Sequence, residues 1–276
     1  MFIELENYKL YYEVKGNGES ILFVHGTPTS AFLWRKQIDE LSKYYRVYAI
    51  DLPGWARSGK PDNFDYELES YAEIIKQFLD KMEEKKIILC IHDLGTTIGM
   101  TFYSRYSEMV SKLILFDTFA YLPFIKRLGW KILYQVFCGI PIAGSRFHRL
   151  IWHLSVKKSD VFATLAFYNK KLATKELIEK YRELAINSEI ADYKTFTING
   201  MDNIWRAVEK NSFKVNVPTL ILWAENDMLF PTSAAEKLHH NIKGSILKTI
   251  SECGHWLQEE KPDEVNKYIL EFLRDN

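Results

Sequence analysis

Asp93 closes the stretch Ile87-Ile88-Leu89-Cys90-Ile91-His92-Asp93, where a carboxyl group is costly unless it is hydrogen-bonded or put to use. A run of strand formers leads into it, and the small-residue segment after Leu94-Gly95 reads as the start of a helix. A strand-to-helix turn that presents one residue at the top of a sheet is the nucleophile elbow, usually written G-x-S-x-G, in which small neighbours relieve crowding. Here the five residues are Ile91-His92-Asp93-Leu94-Gly95, and G-x-S-x-G occurs nowhere in the chain. A nucleophile at this elbow is therefore a carboxylate. The competing reading is an aspartate that only caps the following helix.

Its companions favour chemistry. Thr27, in His25-Gly26-Thr27-Pro28, follows an expected strand, so its backbone N–H and that of Leu94 could form an oxyanion hole. Asp227 lies just beyond the strand in "LILWAENDMLFP", and His255 follows a glycine and precedes a helix in "SECGHWLQEEKP". A carboxylate that attacks an electrophilic carbon forms an alkyl-enzyme ester, which water then cleaves at the ester carbonyl. His255, oriented by an acid, would act as general base on that water. Each of these elements contributes a rate factor of roughly 10² to 10⁴.

The elements that must hold these groups are legible as alternating strands and helices. "ILFVHG", "YYRVYAID", "KKIILCIH", "VSKLILFD" and "VPTLILWAEND" are short, continuous apolar runs of the kind buried on both faces of a parallel sheet. Helical patterns cover 30–44, 65–84 and 95–108. "FIELENYKLYYEV" reads as two antiparallel edge strands, and the end of the chain adds a helix at 232–241, a strand "SILKTI" and a helix opened by Pro262. The rhythm predicts an α/β fold with right-handed crossovers. It breaks between 121 and 215, an aromatic, helical-period stretch expected to be a cap inserted into a core of residues 1–120 and 216–276.

As a set, "HGTPTSAFLWR", "DLPGWARSGKP", "IHDLGTTIG", "WAENDMLFP" and "GHWLQEEKPDEV" resemble the α/β-hydrolase superfamily, and within it the branch of haloalkane dehalogenases and epoxide hydrolases, which uses an aspartate nucleophile. The resemblance implies an α/β-hydrolase fold, a mostly parallel central sheet flanked by helices with a helical cap insertion, and no cofactor. It also implies the order nucleophile, acid, histidine for Asp93, Asp227 and His255. Some dehalogenases carry the acid after the preceding central strand, which makes Asp117 in "LILFDTF" the alternative. Dehalogenases hold the departing halide with a Trp after the nucleophile and, in one subgroup, an Asn after the HG pair. This chain has Leu94 and Thr27 there. A leucine has no donor and a threonine hydroxyl is a weak one, so halide release is disfavoured. The HGxP run is shared with epoxide hydrolases, where a cap residue protonates the ring oxygen; the cap candidates are Tyr134, Tyr168, Tyr181, Tyr193, His148 and His153. Trp34, Trp130, Phe137, Trp152, Phe167 and Trp256, with Tyr134 and Tyr168, are the candidates to line an apolar pocket. Ile91 stands where the family has a small residue.

The expected activity is hydrolysis of a small apolar electrophile, epoxide opening ahead of dehalogenation. Ester or lactone hydrolysis on the same fold, or ligand binding with little turnover, are the alternatives. Other classes are disfavoured. "GWARSGK", residues 54–60, fits a phosphate-loop frame, but Pro61 stands where a hydroxyl is needed and a loop replaces the helix. Lys+Arg 36 against Asp+Glu 36 gives no electrostatic case for nucleic acid or an anionic membrane. Cys90, Cys138 and Cys253 are too scattered for a disulfide framework or a metal site. The first residues carry no leader pattern, and no apolar run is long enough to span a bilayer. A cytoplasmic monomer or homodimer acting on a small molecule is the expectation.

Overall fold

The computed structural model describes residues 1–6, 8–60, 63–122, 128–129 and 165–276. An eight-stranded sheet runs in the order β1-β2-β4-β3-β5-β6-β7-β8. Its strands are β1 (Phe2–Glu4), β2 (Lys9–Lys15), β3 (Ser20–Val24), β4 (Arg46–Ile50), β5 (Ile87–His92), β6 (Val110–Phe116), β7 (Thr219–Ala224) and β8 (Ile246–Ile250). β1 pairs β2, and β2 pairs β4, antiparallel; every pairing from β4 through β3 to β8 is parallel. This is the mostly parallel α/β sheet that the strand rhythm predicts, in the arrangement that the motif resemblance implies.

The continuous apolar runs are explained by burial on two sides. Leu22, Val24, Leu89 and Ile91 point into one core, and Ile21, Phe23, Ile88 and Cys90 into the other, with the period of two that a pleated strand imposes. Helices α2 (Leu68–Lys81) and α3 (Leu94–Arg105) cover the first face. The second is covered by α1 (Arg35–Leu41), entered through a 3-10 turn at Ala31–Trp34, and by the C-terminal helix Pro262–Asp275. That last helix buries Val265, Ile269, Phe272 and Leu273, a stripe at helical spacing.

The segment between β6 and β7, where the sequence predicts a cap, contributes α4 (Lys175–Ala185) and α5 (Glu189–Ser212) among the described residues. Gly200 (φ 68°) breaks α5 into two arms. Helix α6 (Thr232–Asn241) and a single-turn α7 (Leu257–Glu260) precede the C-terminal helix, α8. No helix among the described residues is long and apolar enough to cross a membrane.

Chain order reverses direction at β3, which has β4 on one side and β5 on the other. The carboxyl ends of β3 and β5 thus border a topological switch point, the usual crevice for ligands in open α/β sheets. Val24 is in register with Ile91, so the Gly26-Thr27 loop and Asp93 emerge side by side.

Candidate active site

Asp93 occupies the turn between β5 and α3 with φ 55° and ψ −126°, a conformation that a side-chain-bearing residue holds only under constraint. The constraint is visible. Its N–H donates to Asp117 O (2.9 Å), and its carbonyl accepts the N–H of Thr96 (3.0 Å) and the hydroxyl of Thr118 (3.0 Å). Glycines leave the room. A Cβ on Gly26 would sit 2.3 Å from Asp93 Oδ1, and one on Gly95 would sit 2.5 Å from His25 O. Ile91, the apparent departure from the elbow pattern, fits because Gly99 on α3 makes way: a Cβ there would come within 2.5 Å of Ile91 Cγ2.

The two carboxylate oxygens of Asp93 face different partners. Oδ1 accepts the Thr27 N–H at 2.8 Å, and the Leu94 N–H also bonds to the carboxylate. Oδ2 lies 3.6 Å from His255 Nε2. The other ring nitrogen of His255, Nδ1, is 2.8 Å from Asp227 Oδ2. Asp227 is fixed in turn through Oδ1, which accepts the N–H groups of Leu229 (2.6 Å) and Phe230 (3.1 Å). The geometry therefore brings together Asp93, Asp227, His255 and the N–H groups of Thr27 and Leu94. Asp117, the alternative acid, bonds instead to the Ala224 N–H through Oδ1 (3.0 Å), while its Oδ2 is buried without a hydrogen-bond partner.

Electrostatics divide these groups. Burial pushes Asp93 up to about 6, against the pull of the His255 charge and the two N–H donors. Burial also acts to lower His255, but the charge and hydrogen bond of Asp227, aided by Asp93, more than reverse it and hold the imidazole above its ordinary value. Asp117 is pushed well up by burial and by the nearby Asp227 charge. His92, the last residue of β5, is pushed well down by burial and by the His255 charge; its Nε2 lies 3.1 Å from His255 O, and the two rings sit 4.5 Å apart. His92, Asp117 and His255 bring donor atoms within 4.8 Å of one another, a spacing a cation could bridge. The bond between His255 Nδ1 and Asp227 competes with that use.

Among the pocket candidates, Trp34 stacks on Phe23 (4.5 Å) with its edge toward His92, and Trp256 packs against Tyr181 (4.3 Å) and Phe167 (5.7 Å). Tyr168 is half exposed, with its N–H bonded to Glu260. The Tyr181 hydroxyl donates to Glu259 (2.9 Å), which also pairs with Arg35. Trp130, Tyr134, Phe137, His148, Trp152 and His153 lie outside the described residues. Sequence reasoning passed over an aromatic row, Phe196, Phe119 and Phe230, that ends on the His255 ring at 5.3 Å. It also passed over Asp192, buried on α5, whose Oδ1 accepts the Thr27 hydroxyl at 2.8 Å.

The chain belongs to the alpha/beta hydrolase fold family, whose model matches residues 19–262. Several relatives are named as epoxide hydrolases. The chain is 30% identical to Epoxide hydrolase 4 of Homo sapiens over 92% of its own length and 72% of that protein. It is 26% identical to the uncharacterized hydrolase YugF of Bacillus subtilis (strain 168), covering 98% and 96% of the two. Among solved structures, an epoxide hydrolase of Bacillus megaterium in complex with an inhibitor superposes with a TM-score of 0.75 at 25% identity, over 99% of this chain and 100% of that one. The protein is thus an α/β hydrolase with epoxide hydrolase-like relatives.

Proposed function

We propose that the protein opens epoxides of small, mostly apolar molecules through an ester on Asp93. The observation that carries this reading is the split duty of the Asp93 carboxylate, with Oδ1 held by backbone donors and Oδ2 left toward His255. Oδ2 attacks an epoxide carbon, the ring C–O bond breaks, and the ring oxygen takes a proton. His255 Nε2 then accepts a proton from water while the water oxygen bonds to Asp93 Cγ. The tetrahedral oxyanion develops on Oδ1, where the Thr27 and Leu94 N–H groups already point. Collapse breaks the Cγ–Oδ2 bond, His255 gives its proton to the departing alkoxide, and Asp93 keeps the oxygen and second proton of the water; loss of that proton to the cap acid regenerates both groups.

Asp227 is the orienting acid in this scheme, since it holds Nδ1. Phe119, Phe196 and Phe230 supply the apolar wall, and the inserted helices form the cap. The ring-opening proton comes from the cap; Tyr181 is engaged with Glu259, and Tyr193 on α5 is a candidate beside Tyr168, Tyr134, His148 and His153. A halide is a poor fit. Leu94 offers no side-chain donor, and the one hydroxyl hydrogen of Thr27 is given to Asp192.

Single turnover of styrene oxide in ¹⁸O-water tests the scheme. The label is expected in Asp93, and in His255→Gln the ester should persist as an adduct of substrate mass. An unlabelled Asp93 after turnover rules the scheme out.

A further inference from the structure

Helix α5 meets the core through a stripe of polar residues. Ser188, Asp192, Thr195 and Asn199 stand at helical spacing from its N-terminal edge inward, and each bonds to the core. Ser188 Oγ accepts the Ala56 N–H (3.1 Å), Thr195 Oγ1 pairs with the Tyr71 hydroxyl (2.9 Å), and Asn199 spans the Tyr66 carbonyl (2.8 Å) and the Leu68 N–H (3.1 Å). Gly54 lets the helix approach, since a Cβ there would meet that of Ala191 at 2.9 Å. Three of these residues, Ser188, Thr195 and Asn199, bond to core residues other than those of the site. The fourth is inside it: Asp192 Oδ1 accepts the hydroxyl of Thr27, whose own N–H is the donor to Asp93 Oδ1.

We infer that Asp192 is a positioning residue that sets the oxyanion hole by holding Thr27, so that the seating of the inserted helix controls ester hydrolysis. The inference rests on the Asp93 ester mechanism. In the first step the carboxylate loses charge to the leaving oxygen, so an N–H at Oδ1 favours the ground state at least as much as the transition state. In the second step charge grows on Oδ1, and the same N–H accelerates the reaction if it is held in place. Releasing Thr27 from Asp192 therefore slows hydrolysis while sparing ester formation.

This separation gives a kinetic signature with styrene oxide as the probe. Asp192→Ala should lower kcat and KM together by about ten- to hundredfold, with kcat/KM nearly unchanged, because kcat/KM reports only steps up to the ester. Intact mass during turnover should show the ester accumulating with His255 still present. Asp192→Asn, which keeps an acceptor oxygen, should restore most of kcat. Thr27→Val, which removes the hydroxyl at constant shape, should reproduce Asp192→Ala, and the double variant should be no slower than either. A fall in kcat/KM with no ester, or losses that multiply in the double variant, overturns the inference. His255→Gln run beside them separates the two levels: an adduct there with no signature at Asp192 removes Asp192 alone, and no adduct removes the ester mechanism and the inference with it.

Discussion

Asp93 and Asp227 approach His255 from opposite ring nitrogens, Asp93 Oδ2 at 3.6 Å from Nε2 and Asp227 Oδ2 at 2.8 Å from Nδ1. One carboxylate is bonded and the other stands just beyond hydrogen-bond distance. In the proposed mechanism this asymmetry supplies the imidazole with an acid that fixes its tautomer and leaves the second nitrogen for a water.

The two carboxyls below the imidazole should therefore separate on mutation. Asp227→Asn removes the charge that keeps His255 oriented and basic, and hydrolysis should fall by roughly 10³- to 10⁴-fold. Burial and the Asp227 charge push Asp117 well up, and among the described residues the one hydrogen bond of its side chain is the one Oδ1 accepts from the Ala224 N–H. An amide oxygen can accept that bond equally well, so Asp117→Asn should keep activity within about threefold. Steady-state rates of the two variants check this, and the reverse order of losses would assign the acid to Asp117.

Two pH limbs are expected. In the proposed mechanism ester formation needs ionised Asp93, so its rate should rise with pH and level off above about 6 instead of near the ordinary carboxylate range. Hydrolysis needs neutral His255. In the free enzyme Asp227 and Asp93 both raise that imidazole, but in the ester Asp93 has lost its charge. The hydrolysis limb should thus lie at lower pH than the His255 titration seen in the free enzyme by NMR. Quenched single turnovers across pH 4–9 would measure both limbs, and an ester-forming limb near pH 4 would contradict the burial of Asp93.

The same burial makes Asp93 a stability cost. Its pKa is raised on folding, so the folded state binds more protons than the unfolded one between the ordinary value of 3.8 and about 6, and stability falls as pH rises through that window. The shift corresponds to about 3 kcal/mol at pH 8. Asp93→Asn should accordingly be more stable than the wild type at pH 8 and lose that advantage below about pH 4, as thermal unfolding at the two pH values would show.

Much of this architecture was legible because strands buried on both faces leave unbroken apolar runs, and β3, β5, β6 and β7 do so. Element ends were less legible. The helix expected over 65–84 spans Leu68–Lys81, since Tyr66 (φ 62°) and Glu83 (φ 58°) turn left-handed on either side of it. The motifs pointed to Asp93, Asp227 and His255 as a group, because each follows a strand end. Asp192 had no such marker. Its stripe with Ser188, Thr195 and Asn199 has the period of a helix face, yet a polar face reads as solvent-facing until the surface opposite it is known.

Ile91 and Gly99 give the last test, of how this elbow tolerates a large residue two places before Asp93. Ile91 is completely buried, and its Cγ2 and Cδ1 occupy the space that a side chain at 99 would need, at 2.5 Å and 2.9 Å from a Cβ. Gly99→Ala in the middle of α3 would gain up to about 1 kcal/mol of helix propensity. The overlap is with a stiff β-branched side chain packed in the core, and overpacking of this kind costs about 1–3 kcal/mol. Gly99→Ala should therefore lower stability overall and, by pushing on β5, displace Asp93 and reduce kcat. Ile91→Ala alone leaves a cavity and should cost about 2–5 kcal/mol. Combined with Gly99→Ala, the two should lose less than the sum, the sign of residues sharing one space. Denaturant unfolding of the four proteins measures the coupling, and strict additivity would mean that Ile91 is accommodated by something other than Gly99.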